Sequence, residues 1–186
     1  MKMPTNDLVR SAKEGDRQSL QKLIELHIHI VERFAFQIGV PRNDVEDVTQ
    51  EVFIRVFRFL HQYSGKTFTT WLYKITLNVA RDYFKKRKRE QAKTQTILEH
   101  TLAFEDNVEQ NVFEKEEDAE LHMLIQQLDV KYKVPLVLFY FHDKKIEEIA
   151  RILSLPVSTV KTRLLRARLQ LKKQLQMIRG ETNATR

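Results

Sequence analysis

The chain has 186 residues, Lys+Arg 32 against Asp+Glu 25, a formal net charge of +7, 42% hydrophobic residues and no cysteine. That length allows one ordinary domain or two small ones, and the apolar content excludes wholesale disorder and a collagen-like chain. The missing thiols exclude disulfides, thiolate zinc sites and cysteine nucleophiles. The basic excess points toward phosphates without separating nucleic acid from an anionic membrane surface.

Met1 to Ser19 is polar and charged with no apolar signal region, and no stretch approaches about 18 uninterrupted apolar residues, so an unexported, intracellular chain is expected. Gly 4 and Pro 4 are low, and apolar residues recur at helical spacing, which predicts an all-α chain. Asp7 to Ile38 reads as helix broken near Gly15. Gly39, Pro41 and Asn43 punctuate the chain before a second helix, Asp44 to Leu60. A loop from His61 to Thr69 leads to a third helix, Thr70 to Arg89. Seven Lys or Arg fall between Arg81 and Lys93, after which Glu99 to Glu120 is strongly acidic and weakly periodic. This shift, with the weak periodicity from about Ala92 to Lys115, predicts a linker between two small helical domains. In the second domain Leu121, Leu124, Ile125 and Leu128 form one stripe, Pro135 to Phe141 a dense apolar helix, and Lys144–Leu153 and Ser158–Met177 a closely spaced pair.

That last pair carries the most information. Ile146, Ile149, Ala150 and Leu153 share one face, and Val160, Leu164, Ala167 and Leu171 repeat the spacing in the next helix. Two short helices with facing stripes and a tight turn make a helix-turn-helix. Ser158 is placed to cap its second helix. With Val160 inward, Thr162, Leu165, Arg166, Leu169 and Lys173 point outward, flanked by Lys161, Arg163 and Arg168. No acid occurs between Ser158 and Arg179. Such a face suits the major groove, where Arg and Lys donate to guanine and an exposed Leu meets a thymine methyl. A basic solvated helix in a small bundle is the plainer alternative.

In the third helix Leu72, Ile75, Val79 and Tyr83 form the inward stripe, leaving Lys74, Asn78, Arg81 and Lys85 opposite. Tyr63, Phe68 and Trp71 stand beside it among hydroxyls, the composition of a single-strand binding surface, where rings stack bases and cations follow the backbone. Phe68 and Trp71 suit a core better than a stacking surface. The second helix turns Val45, Val48, Val52, Val56 and Phe59 inward and presents Asp47, Gln50, Glu51, Ile54 and Arg58, a patch better suited to a protein partner than to DNA. His27 and His29, two apart on a helix, point about 200° from each other and make a poor metal pair. The cluster Asp44, Glu46, Asp47 and Glu51 lacks a convergent third ligand or general base for two-metal hydrolysis. No catalytic residue, metal or cofactor is expected.

Three segments, DVEDVTQEVFIRVFR from Asp44 to Arg58, FTTWLYKITLNVARD from Phe68 to Asp82 and LPVSTVKTRLLRAR from Leu155 to Arg168, together resemble the extracytoplasmic function (ECF, group IV) sigma factors of the sigma-70 family. The resemblance implies sigma domain 2 at 1–92, an acidic flexible linker at 93–117, sigma domain 4 at 118–180 and a tail at 181–186. It implies a protein that directs core RNA polymerase to promoters by reading −35 duplex and melting the −10 element. Carried over by position, Asp47, Gln50, Glu51, Ile54 and Arg58 would dock on the clamp of the largest polymerase subunit, and domain 4 on the flap of the second-largest. Tyr63, Lys66, Phe68, Trp71, Lys74, Asn78, Arg81 and Lys85 would hold melted −10 DNA. Which of Tyr63, Lys66 and Phe68 lines the flipped-base pocket stays open. Ser158, Lys161, Thr162, Arg163, Leu165, Arg166 and Arg168 would read the −35 element. A membrane-linked anti-sigma factor is a further implied partner, which would hold a cytoplasmic protein at the inner face of the membrane. An autonomous helix-turn-helix regulator is the alternative. A coil of about 25 residues has a root-mean-square span of only about 25–30 Å, whereas elements two duplex turns apart lie about 70 Å from each other. The linker therefore reaches only when held nearly extended, at about 3.3 Å per residue.

Overall fold

The computed structural model describes residues 4–65, 67–98 and 116–184, and among them the secondary structure is helical throughout. The helices are α1 (Thr5–Lys13), α2 (Arg17–Gln37), α3 (Arg42–Phe59), α4 (Phe68–Leu98), α5 (Glu116–Gln126), α6 (Val130–Tyr140), α7 (Ile146–Leu153) and α8 (Val157–Ala184), with a 3₁₀ turn at Leu60–Gln62. The all-α expectation holds. The expected linker lies mostly outside the described residues, although α4 runs nine residues past the expected end at Arg89.

Local chemistry sets the helix boundaries. Gly15, at φ 98°, separates α1 from α2, and Asp16 caps α2 by accepting from the Gln18 and Ser19 amides. Gly39 takes φ 111° between α2 and α3. Helix α6 starts at Val130, five residues before the expected Pro135, because Asp129 accepts from the Lys131 amide and caps it. Pro135 then sits inside the helix, where it has no amide to donate to the Lys131 carbonyl. Ser154, left-handed at φ 54°, ends α7, and Val157 begins α8 three residues later.

Helices α1–α4 pack in chain order, with Leu23, Val31, Phe34, Val52, Val56, Phe68 and Leu72 in their core. Helices α5–α8 form the second group around Val137, Leu138, Ile149, Val160 and Ala167. The two cores are continuous, because α4 packs against α7. Residues on the side of α4 away from the expected stripe, Tyr73, Thr76, Leu77 and Ala80, are buried as a result. Among the described residues no helix is long and apolar enough to cross a membrane.

Candidate nucleic-acid faces and docking grooves

The helix-turn-helix forms as its spacing required. Val160, Leu164 and Ala167 are buried, while Lys161, Thr162, Leu165, Arg166, Arg168 and Leu169 are exposed. Among the described residues, Lys161, Arg166 and Arg168 enter no ion pair, so their charge stays available to phosphate or guanine. Three positions depart from expectation. Ser158 lies inside the first turn of α8 rather than capping it, and its carbonyl accepts from the Thr162 hydroxyl at 3.0 Å. Arg163 is half-buried, facing Asp129 and Arg81 across a small cavity. Arg168 lines an apolar groove with Leu121, Leu136, Tyr140 and Leu171.

The aromatic group before α4 is a packed cluster. Phe68 is 2% exposed and meets His27 edge-on at 5.1 Å, Tyr63 at 6.0 Å and Trp71 at 5.8 Å. The core role favoured for Phe68 is what the packing gives, and Tyr63, expected at the −10 surface, is buried with it, while Trp71 is partly open. The competition between core and surface was decided by α1 and α2, which cover the cluster from the side the local pattern leaves unspecified. Burial holds the Tyr63 phenol above its ordinary pKa, and its hydroxyl is buried without a hydrogen-bond partner among the described residues. Tyr63 also shapes the loop after it, since a Cβ on Gly65 would come within 2.8 Å of its ring. Lys66 lies outside the described residues. Asn78, Arg81 and Lys85 are exposed along α4 and Lys74 is half-buried, with Arg81 donating to the Asn78 side-chain oxygen at 3.3 Å.

Sequence reasoning missed Lys13. Its Nζ donates to the Tyr63 carbonyl at 2.8 Å, tying α1 to the start of the loop. A contact spanning 50 residues has no signature in local spacing.

The proposed docking residues of α3 fall on two surfaces. Gln50 and Ile54 border a groove of about 970 Å³ between α2 and α3, together with Leu20, Ile24, Phe53 and Phe57. Ile54 and Phe57 are 50% and 68% exposed, large apolar side chains left uncovered beside that groove. Phe59, expected inward, is partly exposed, while Thr49 and Phe53 are buried. Asp47 and Glu51 face α4 instead, where Arg55 joins Glu51 at 2.7 Å and Asp82 at 2.8 Å. Asp44 accepts from the Tyr83 hydroxyl, so Asp44 and Glu51 are both satisfied by protein groups. Arg58 is exposed. His27 Nδ1 bonds the Leu23 carbonyl in the core and burial lowers its pKa, whereas His29 pairs with Glu32 at the surface, so the two histidines do not converge.

Together these features define a two-part helical protein with a helix-turn-helix whose second helix carries no acid from Ser158 to Arg179, a second basic helix and apolar grooves. The family model for sigma-70 region 2 matches residues 23–90, and that for sigma-70 region 4 matches 118–171. The chain is 30% identical over 183 residues to the RNA polymerase sigma-H factor of Pseudomonas aeruginosa, covering 94% of this chain and 95% of that protein. It is 32% identical over 183 residues to the ECF RNA polymerase sigma factor SigE of Mycolicibacterium smegmatis, covering 96% and 71%. In fold it is similar to CnrH, solved in complex with the cytosolic domain of CnrY (TM-score 0.70, 24% identity, covering 91% of this chain and 96% of that one). The chain belongs to the sigma-70 family and is a sigma factor of the ECF type, a transcription initiation factor.

Proposed function

We propose that the chain is a group IV sigma factor that divides promoter recognition between α8 and α4. Lys161, Thr162, Leu165 and Arg166 read the −35 duplex in the major groove, with Ser158, Arg163 and Arg168 at its margins. The observation that carries this is the acid-free outer face of α8, whose Lys161 and Arg166 enter no ion pair among the described residues, mounted second in a helix-turn-helix. Asn78, Arg81, Lys85 and Lys74 follow the melted −10 strand, Trp71 offers the available ring, and Lys66 belongs to the loop beside them. Buried Phe68 and Tyr63 hold that loop. Capturing an unstacked base offsets its unpairing, which costs a few kcal/mol.

Core polymerase docks in two places. The groove beside Gln50 and Ile54, with Asp47, Glu51 and Arg58 at its edge, takes the clamp of the largest subunit. The apolar groove of α5, α6 and α8 fits a helix from the flap of the second-largest. An anti-sigma factor is the remaining partner, and a membrane-linked one would keep this cytoplasmic chain at the inner membrane face. Run-off transcription with core polymerase, with and without this protein, tests the reading. Initiation at discrete promoters is expected, and failure at every promoter of a genomic fragment pool would overturn it. Tight binding of the isolated chain to a palindromic duplex would instead favour an autonomous regulator.

A further inference from the structure

Helices α3 and α4 carry the faces assigned to polymerase and to the melted strand, and they pack directly against each other. Val48 of α3 and Val79 of α4, both buried, line a cavity of about 570 Å³ between them. Burial of such side chains is non-directional, so it brings the helices together without fixing how far one is rotated about its own axis.

One residue of α4 does not suit a helix that follows phosphates. Asp82 is the only acid between Phe68 and Arg89, and it stands next to Arg81 with its side chain 54% exposed. By charge alone it weakens the strip of Asn78, Arg81 and Lys85 toward a nucleic-acid backbone.

Its partner on α3 gives it another use. Arg55 donates from Nη1 to Asp82 Oδ2 at 2.8 Å and from Nε to Glu51 Oε1 at 2.7 Å. Glu51 lies one turn earlier on α3 and aims the guanidinium, whose other donor then reaches across to α4. The planar fork holds both bonds in fixed relative directions, which a lysine ammonium does not impose. A second tie joins the same helices: the Tyr83 hydroxyl donates to Asp44 and accepts from Arg87 Nη1 at 2.9 Å. Asp44 and Arg55 stand about 16 Å apart along α3 at 1.5 Å per residue, whereas Asp82 and Tyr83 are neighbours on α4. Two ties spread along one helix and converging on the other resist both tilt and rotation of α4.

We propose that Arg55 is a positioning residue for promoter opening: by bridging Glu51 and Asp82 it fixes the rotation of α4 on α3, so that polymerase holding α3 presents Asn78, Arg81 and Lys85 to the separating strand in one orientation. This rests on the reading of α3 as the polymerase face and α4 as the −10 face.

Charge and orientation predict opposite signs at Asp82. Removing an acid beside phosphate-following cations strengthens strand capture if charge is its whole effect, whereas losing the bridge weakens it. Alanine also suits a helix interior, so propensity adds no loss. In holoenzyme assembled from core polymerase and the full chain, Asp82→Ala and Arg55→Met should each lower promoter opening about tenfold, the usual scale of coupling between linked sites. Opening is read by permanganate reactivity of thymines in the melted region. Affinity for core polymerase, read by fluorescence anisotropy of the labelled chain, should change much less. Opening raised by Asp82→Ala, or lowered no more than core affinity in both variants, would overturn the proposal. The bridge itself is measured without polymerase: in denaturant titrations of the free chain the two losses should not add, and the double variant should be as stable as Arg55→Met alone. Additive losses would overturn it as well. A wild-type chain that opens no promoter refutes instead the assignment of α3 and α4, and the role of Arg55 falls with it.

Discussion

Helices α4 and α8 begin as similar objects, basic, amphipathic and long, yet the fold treats them differently. Helix α8 buries Val160, Leu164 and Ala167, half-buries Arg163 and Leu171, and leaves Lys161, Thr162, Leu165, Arg166, Arg168 and Leu169 to solvent. Helix α4 is enclosed on two sides, by α2 and α3 through Leu72 and Val79 and by α7 at the seam between the two helical groups, so between Leu72 and Phe84 its exposed residues are Asn78, Arg81 and Asp82, and it opens to solvent all round from Lys85 to Ala92. A lightly supported helix can enter a duplex groove as a rod. A heavily supported one, with a buried aromatic cluster at its start, makes a rigid platform against which a flexible single strand can be held.

The contrast is broken most severely at Phe68. Phe68→Ala should destabilise the folded chain by about 3–5 kcal/mol in a denaturant titration, as expected for a buried ring. Unchanged stability would return Phe68 to the surface and make α4 resemble α8. Acid is the next largest lever. Burial first, then the Arg33 and Lys144 charges, lowers the His142 pKa to about 4 from an ordinary 6.5. The groups around it are Gln37 and Arg33 on α2, Tyr73 on α4, Lys144 beside it, and Asp143 and Glu148 near Tyr73. Because its pKa is depressed where the two helical groups pack, the seam keeps this contribution above pH 6.5 and loses it as pH falls toward 4, by up to about 3 kcal/mol. Small-angle scattering should show expansion across that window, and His142→Gln should remove most of the dependence. The lowered pKa of His122, desolvated and near Lys133, acts in the same direction and leaves the remainder.

The α8 side is sharpened by Lys161→Ala and Arg166→Ala, each expected to relax −35 base preference by about 1–3 kcal/mol in competition binding. Equal losses on all sequences would reduce them to phosphate contacts. The smallest effect belongs to Lys13→Met, which removes one charge-assisted bond to the loop. Stability should fall by about 1–2 kcal/mol, and affinity for a single-stranded −10 oligonucleotide should fall with it, whereas Lys13→Arg should retain most of both.

How far the sequence could be read follows from where each signal resides. The stripe Val160, Leu164, Ala167 and the break at Gly15 were legible because helical period and glycine conformation act within a turn or two. The exposed pair Ile54 and Phe57 was half legible: Ile54 stood out among acids and amides, while Phe57 passed as part of an apolar helix. Tyr73 and His142 carried no signal, since 69 residues separate them and neither breaks its local pattern. Helical period already set Arg163 and Arg168 on the flanks of Arg166, but only the packing of α4 and α5 beside α8 decides that Arg163 is half-buried and that Arg168 lines an apolar groove.

By itself the sequence determined the helices, the charge carried by each face and, through three ordered segments, the family. Periodicity and side-chain chemistry are properties of neighbours along the chain. Tertiary structure alone decided which rings became core, which cations stayed at the surface, and that the basic helices α4 and α8 approach each other at one seam. Burial is set by what arrives from distant parts of the chain, and hydrophobic contact and a shared proton at His142 select that arrival only once the helices exist.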